Sequence, residues 1–186
     1  CAGRVHALRA GLTITSAAKE MAELLRYEDL NDVVLVGTSS GGRIAAKTAS
    51  LAKARIGRVF FVDALVPQPG ESTKDIVKRG DADPYEMTEF ARGPTRKDLA
   101  NRLFAELDGA QKEWALVRAT PHPNGLSDVA ADELKEFWAD SWPNSAVVYC
   151  VHSENPPEPH QRRTAAGLDA QSVSYTHLTL PTRLMV

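Results

Sequence analysis

Residues 33–45 constrain the fold of this chain more than any other stretch. The β-branched run Val33-Val34-Leu35-Val36 stops in Gly37-Thr38-Ser39-Ser40-Gly41, and the pattern Gly42-Arg43-Ile44-Ala45 follows at once. This order predicts a strand, a sharp turn and a helix, with a G-x-S-x-G motif on the turn. Glycines two residues either side of Ser39 remove the Cβ atoms that would collide where the strand folds onto the helix. Ser39 is then free to adopt a strained backbone conformation. Its hydroxyl stands clear of the sheet, within reach of a histidine. The Ser40 N–H, at the start of the helix, faces the place where the oxyanion of an ester would develop.

Two phosphate-binding readings of the same residues fail on chemistry. A P-loop requires lysine and then a hydroxyl residue where the chain has Arg43 and Ile44, and the dinucleotide fingerprint requires glycine where Ser39 stands. A Gly/Ser helix entry without chemistry is the plain alternative.

The remaining pattern predicts an α/β chain. Arg4–Leu8 reads as the stub of a strand. Ser16 is positioned to cap a helix with Ala17, Met21, Leu24 and Leu25 on one face. After the elbow, a helix runs to about residue 54 with Ile44, Ala45, Thr48, Ala49 and Ala52 towards the sheet. Strands are expected over 58–63 and 146–151, and a helix over 157–168 entered through Pro156-Pro157. Continuous apolar strands alternating with helices imply a parallel sheet covered on both faces. Between 67 and 144 charged helical stretches dominate. Thr95 caps one that carries Leu99, Leu103 and Phe104; another holds Trp114 and Val117, and a third Leu134, Phe137 and Trp138. These aromatics either line an apolar pocket or pack the segment against itself.

Three segments carry a family likeness: Tyr27–Asp32 running into the elbow; Val59-Phe60-Phe61-Val62-Asp63-Ala64-Leu65-Val66-Pro67 with Gly70-Glu71-Ser72; and Thr120-Pro121-His122-Pro123. On these the chain resembles the α/β-hydrolase superfamily over roughly residues 5–170, and within it the esterase and hydroxynitrile-lyase-like branch. The resemblance implies an α/β-hydrolase fold: a core segment over 1–66 with the elbow, a helical cap over 67–144, and a core return over 145–171. It implies Ser39 as nucleophile, the Ser40 amide as oxyanion donor, and chemistry without metal or organic cofactor.

The nucleophile needs a base, and the base an orienting carboxylate. The acid has two candidate places. Asp63 closes the apolar strand 59–62 at the edge where the active sites of open α/β sheets lie, and is preferred. Glu154, in the loop after strand 147–151, is the alternative, and a purely local turn role for Asp63 is the third reading. His152 reads as a solvated loop histidine. The resemblance implies a Gly-His dipeptide after one further strand. Instead the chain closes with residues 172–186, in which Val173–Leu180 alternates in polarity like a strand and places His177 where the base is sought. The ten residues Val173–Thr182 also resemble the in-frame translation of a transposon-end adapter used in sequencing-library preparation. Residues from about 172 onward are therefore expected to be foreign to the fold, with His177 serving only if the tail is native. No His-Gly loop for a second oxyanion donor precedes Arg4, so a fragment of a longer hydrolase, truncated at both ends and inactive as it stands, is expected.

Composition narrows the partners. With 22 basic and 24 acidic residues, nothing favours nucleic acid or an anionic membrane, and no apolar run approaches the roughly 20 residues of a membrane span. The two cysteines do not make a disulfide framework. Cys150 reads as core filling, and a reducing cytoplasm is the default compartment. The expected partner is a small-molecule ester, with the oligomeric state open. The expected reaction is hydrolysis of carboxylic esters through an acyl-enzyme. A hydroxynitrile-lyase-like C–C cleavage and a non-catalytic binding module are the rivals.

Overall fold

The computed structural model describes residues 10–77, 85–127, 130 and 132–176. Its elements, in chain order, are α1 (Ile14–Tyr27), β1 (Val33–Ser39), α2 (Gly41–Leu51), β2 (Ile56–Ala64), α3 (Thr73–Ile76), β3 (Tyr85–Met87), β4 (Ala91–Pro94) and α4 (Arg96–Asp98). There follow α5 (Gly109–Arg118), β5 (His122–Pro123), α6 (Lys135–Ala139), β6 (Ala146–Cys150), α7 (Glu158–Gly167) and β7 (Gln171–Tyr175). The expected strand over Arg4–Leu8 and the candidate base His177 lie outside the described residues.

The described residues fall into two compact units. One comprises residues 14–77, 130 and 132–176, and the other residues 10–13 and 85–127. The first is the α/β unit. Its four strands run in the order β1-β2-β6-β7, each pair parallel. This is the parallel sheet flanked by helices that the alternating pattern predicts. Val59 and Phe61 of β2, Val147 and Tyr149 of β6, and Ala45, Ala46 and Ala49 of α2 form its core. Alanines at the α2 contact let the helix lie close on the sheet.

The structure departs from the sequence reading in several places. α1 begins at Ile14, so Ser16 lies inside it and not before its first turn; the buried face is Ile14, Ala18 and Leu25, while Leu24 is 46% exposed. Only one face of β1 is buried: Leu35 and Gly37 point inward, while Val34 and Val36 are 51% and 56% exposed. β1 is the outer strand of the described sheet, and no described strand pairs with its far side. The division at 67–144 is also redrawn. Residues 67–77 and 132–144 belong to the α/β unit, because Phe137 is fully buried between Phe61 and Trp142, with ring centroids at 5.9 and 5.1 Å. The Trp138 indole N–H donates to the Pro67 carbonyl at 2.7 Å. The aromatics of this stretch thus complete the core.

The second unit is not purely helical. It carries a three-stranded antiparallel sheet, β3-β4-β5, beside α4, a π-helical turn (Leu99–Leu103) and α5. Thr95 does cap α4, its Oγ accepting the Asp98 N–H at 3.1 Å. α5 buries no residue, and Trp114 is 62% exposed.

Candidate active site

The elbow forms as the chain pattern predicts. Ser39 is the last residue of β1, exposed, with φ +47°. A left-handed conformation is uncommon for a serine and costs about 1–2 kcal/mol, so the surrounding structure must impose it. Ser40 has helical dihedrals and is the N-cap of α2, which puts its N–H among the unpaired donors of a helix start. The steric reason for the glycines differs from the motif reading. A Cβ on Gly37 would sit 2.9 Å from the Ala45 Cβ and 2.9 Å from the Gly42 Cα. A Cβ on Gly41 would meet nothing within 4 Å, whereas one on Gly42 would lie 2.7 Å from the Leu65 carbonyl oxygen. The tight crossing is between Gly37 and Gly42, and the second motif glycine is sterically free.

Asp63 lies beside this turn. The register pairs Ser39 with Ala64, and the Leu65 N–H donates to the Ser39 carbonyl at 2.9 Å. Adjacent parallel strands therefore end together, β1 at Ser39 and β2 at Ala64, one residue after Asp63. Asp63 too is left-handed, with φ +45°. Two non-glycine residues in this conformation at one sheet edge are the kind of cluster found where structure serves chemistry. Aspartate accepts the conformation more readily than serine does, so Ser39 is the stronger signal.

The Asp63 carboxylate is held by neutral donors from the β6–α7 region. The Ser153 hydroxyl donates to Oδ2 at 3.1 Å, and the Gln161 side-chain amide donates to Oδ1 at 2.6 Å. Gln161 is 1% exposed, and its Nε2 also donates to the Pro156 carbonyl at 3.2 Å. Sequence reasoning missed both residues, since neither belongs to a catalytic motif. Glu154 is exposed and forms an isolated backbone bridge with Pro157. His152 is exposed beside it.

His160 likewise belongs to no catalytic motif. It is 1% exposed, and its Nε2 accepts the Val66 N–H at 3.1 Å. That bond places the ring proton on Nδ1, 3.9 Å from Glu71 Oε2. Burial lowers its pKa to about 4, with Glu71 opposing and Arg163 reinforcing the shift. The ring is neutral and fastens the segment after Asp63 to α7, with Arg163 donating to Glu71 at 2.9 Å beside it. Its basic nitrogen is occupied, so it is a tether and not a base. Among the described residues no histidine bonds Ser39.

Comparisons with known proteins agree with this architecture. A model of the alpha/beta hydrolase family matches residues 4–181. A carbendazim hydrolyzing esterase from Nocardioides sp. (strain SG-4G) is 30% identical over 69 residues, 37% of this chain and 28% of that protein. Among solved structures, an extracellular alpha/beta-hydrolase from a Paenibacillus species has a TM-score of 0.67 at 18% identity, covering 94% of this chain and 76% of that one. A pyrethroid hydrolase from Sphingobium faniae JZ-2 has a TM-score of 0.63 at 12% identity, covering 89% and 70%. Polyneuridine aldehyde esterase has a TM-score of 0.58 at 15% identity, covering 89% and 71%.

Proposed function

Since the chain belongs to the alpha/beta hydrolase family, we propose that its chemistry is carboxylic ester hydrolysis through an acyl-enzyme on Ser39. The observation that carries this reading is the left-handed, exposed Ser39 at the end of β1, with the left-handed Asp63 next to last on the neighbouring strand. In the proposed reaction the Ser39 Oγ attacks the ester carbonyl as its proton passes to a base, and the oxyanion accepts the Ser40 N–H. Collapse breaks the ester C–O bond, and the alcohol leaves with the proton. Water, deprotonated by the same base, then hydrolyses the acyl-serine. Asp63 orients the base and stabilises its protonated form. Two of the relatives are named as esterases, which supports the substrate class.

The base is the role that experiment must fill. His177 follows two positions after β7, whose parallel pairing with β6 directs its carboxyl end towards the edge that carries Ser39 and Asp63. If residues from 172 onward are foreign, His177 is not that base. A missing base costs roughly six orders of magnitude in the best-studied triad. The test is to assay this chain, Ser39→Ala and His177→Ala on p-nitrophenyl butyrate, with fluorophosphonate labelling alongside. Negligible turnover is expected. Robust turnover lost on His177→Ala makes that residue the base, and turnover retained by Ser39→Ala overturns the acyl-enzyme.

A further inference from the structure

We infer that Gln161 and Ser153 are positioning residues that hold the Asp63 carboxylate in its working orientation; this rests on Asp63 being the acid proposed above. Each carboxylate oxygen has one donor: Oδ1 the Gln161 amide at 2.6 Å, Oδ2 the Ser153 hydroxyl at 3.1 Å. Two donors on two oxygens fix both the rotation of the carboxylate and its tilt, which a single bond does not. An ionised carboxylate offers about four acceptor sites, so each oxygen keeps capacity for a further N–H.

The kind of donor matters as much as the geometry. Both are neutral, and among the described residues no lysine or arginine pairs with Asp63. A cationic partner would cancel much of the charge that has to stabilise a protonated base. An amide and a hydroxyl orient the carboxylate and leave its full charge available. They also compensate the partial loss of water around a half-buried anion.

Gln161 is itself fixed. It is 1% exposed on α7, and its second amide hydrogen bonds the Pro156 carbonyl at 3.2 Å. Both hydrogens of Nε2 thus meet acceptors, which settles which end of the amide is nitrogen. Its Oε1 is buried without a partner, an arrangement that costs free energy.

The test uses the full chain and two readouts. The first is the side-chain amide signal of Gln161 in ¹H–¹⁵N NMR. One of its protons should resonate downfield and exchange slowly with solvent, and Asp63→Ala should abolish both features while backbone signals of α7 stay in place. An amide signal unmoved by Asp63→Ala overturns the clamp. The second is the rate of fluorophosphonate capture of Ser39 in a double-mutant cycle. Gln161→Met and Ser153→Ala should each slow capture several-fold, Ser153→Thr should restore it, and neither should slow it further in an Asp63→Asn background. Effects that persist undiminished in that background show Gln161 and Ser153 acting other than through Asp63, and overturn the proposal. Capture unchanged by Asp63→Asn alone overturns the acid role of Asp63 and with it the positioning role; where capture is absent for want of a base, the NMR result by itself decides whether the clamp holds.

Discussion

At the scale of single residues, two residues are held in states that water would not give them. Ser39 is kept left-handed at φ +47°. Ser39→Gly relieves the left-handed strain of about 1–2 kcal/mol and loses some of that to chain entropy, about 0.5–1 kcal/mol. The variant is expected to be as stable as the parent chain or up to about 1 kcal/mol more stable, while losing all fluorophosphonate labelling; urea titration and labelling of one preparation check both halves. His160 is kept neutral, with its pKa lowered to about 4 by burial. An unfolded histidine titrates near 6.5. Stability from the neutral ring is therefore complete above about pH 6.5 and is lost as pH falls towards 4, by at most about 3 kcal/mol. His160→Gln removes this titration, so its urea midpoint should fall less than that of the parent chain between pH 7 and 4.5.

At the scale of elements, the elbow is a contact between one strand and one helix. Its strength lies in how closely Gly37 and Gly42 approach. Gly42→Ala would drive a methyl to 2.7 Å from the Leu65 carbonyl oxygen, and Gly37→Ala one to 2.9 Å from the Ala45 Cβ. Overpacking of this kind costs about 1–3 kcal/mol. Gly41→Ala places a methyl in open space at the first position of α2, where alanine favours the helix by up to about 1 kcal/mol. Thermal midpoints should accordingly fall for the first two and hold or rise for the third, although Gly41 belongs to the motif and Gly42 does not. α6 makes a second test of packing. Phe137 is fully buried and touches Phe61 and Trp142, so Phe137→Ala should destabilise by about 3–5 kcal/mol in denaturant titration.

At the scale of the whole molecule, the α/β unit closes on β7, an edge strand whose five residues are all exposed. It contributes ladder hydrogen bonds to β6 and buries no side chain. Each such bond is worth about 0.5–1.5 kcal/mol net, and ordering each residue costs about 1–2 kcal/mol. The two nearly cancel. Removing residues 172–186 should therefore shift the unfolding free energy by no more than about 1 kcal/mol. A larger loss would show that the tail is integral to the fold and strengthen the case for His177.

The sequence by itself determined what local rules govern. An apolar run, two small residues and an alanine-rich stretch specify strand, turn and helix at 33–51, because each choice is set within a few residues of chain. The order of strands and helices then specifies a parallel sheet, and the closing aspartate of 59–63 falls at its carboxyl edge by the same logic. Tertiary structure decided the rest. Which glycine is tight depends on where the Leu65 carbonyl oxygen comes to lie, and that residue lies on the next strand's exit. The donors on Asp63 come from residues 90 and 98 positions away, a separation over which no periodicity or spacing carries information. The assignment of Phe137 and Trp142 to the core, and of His160 to a tether, likewise follows from which surfaces meet, because burial and hydrogen-bond partners belong to the assembled chain.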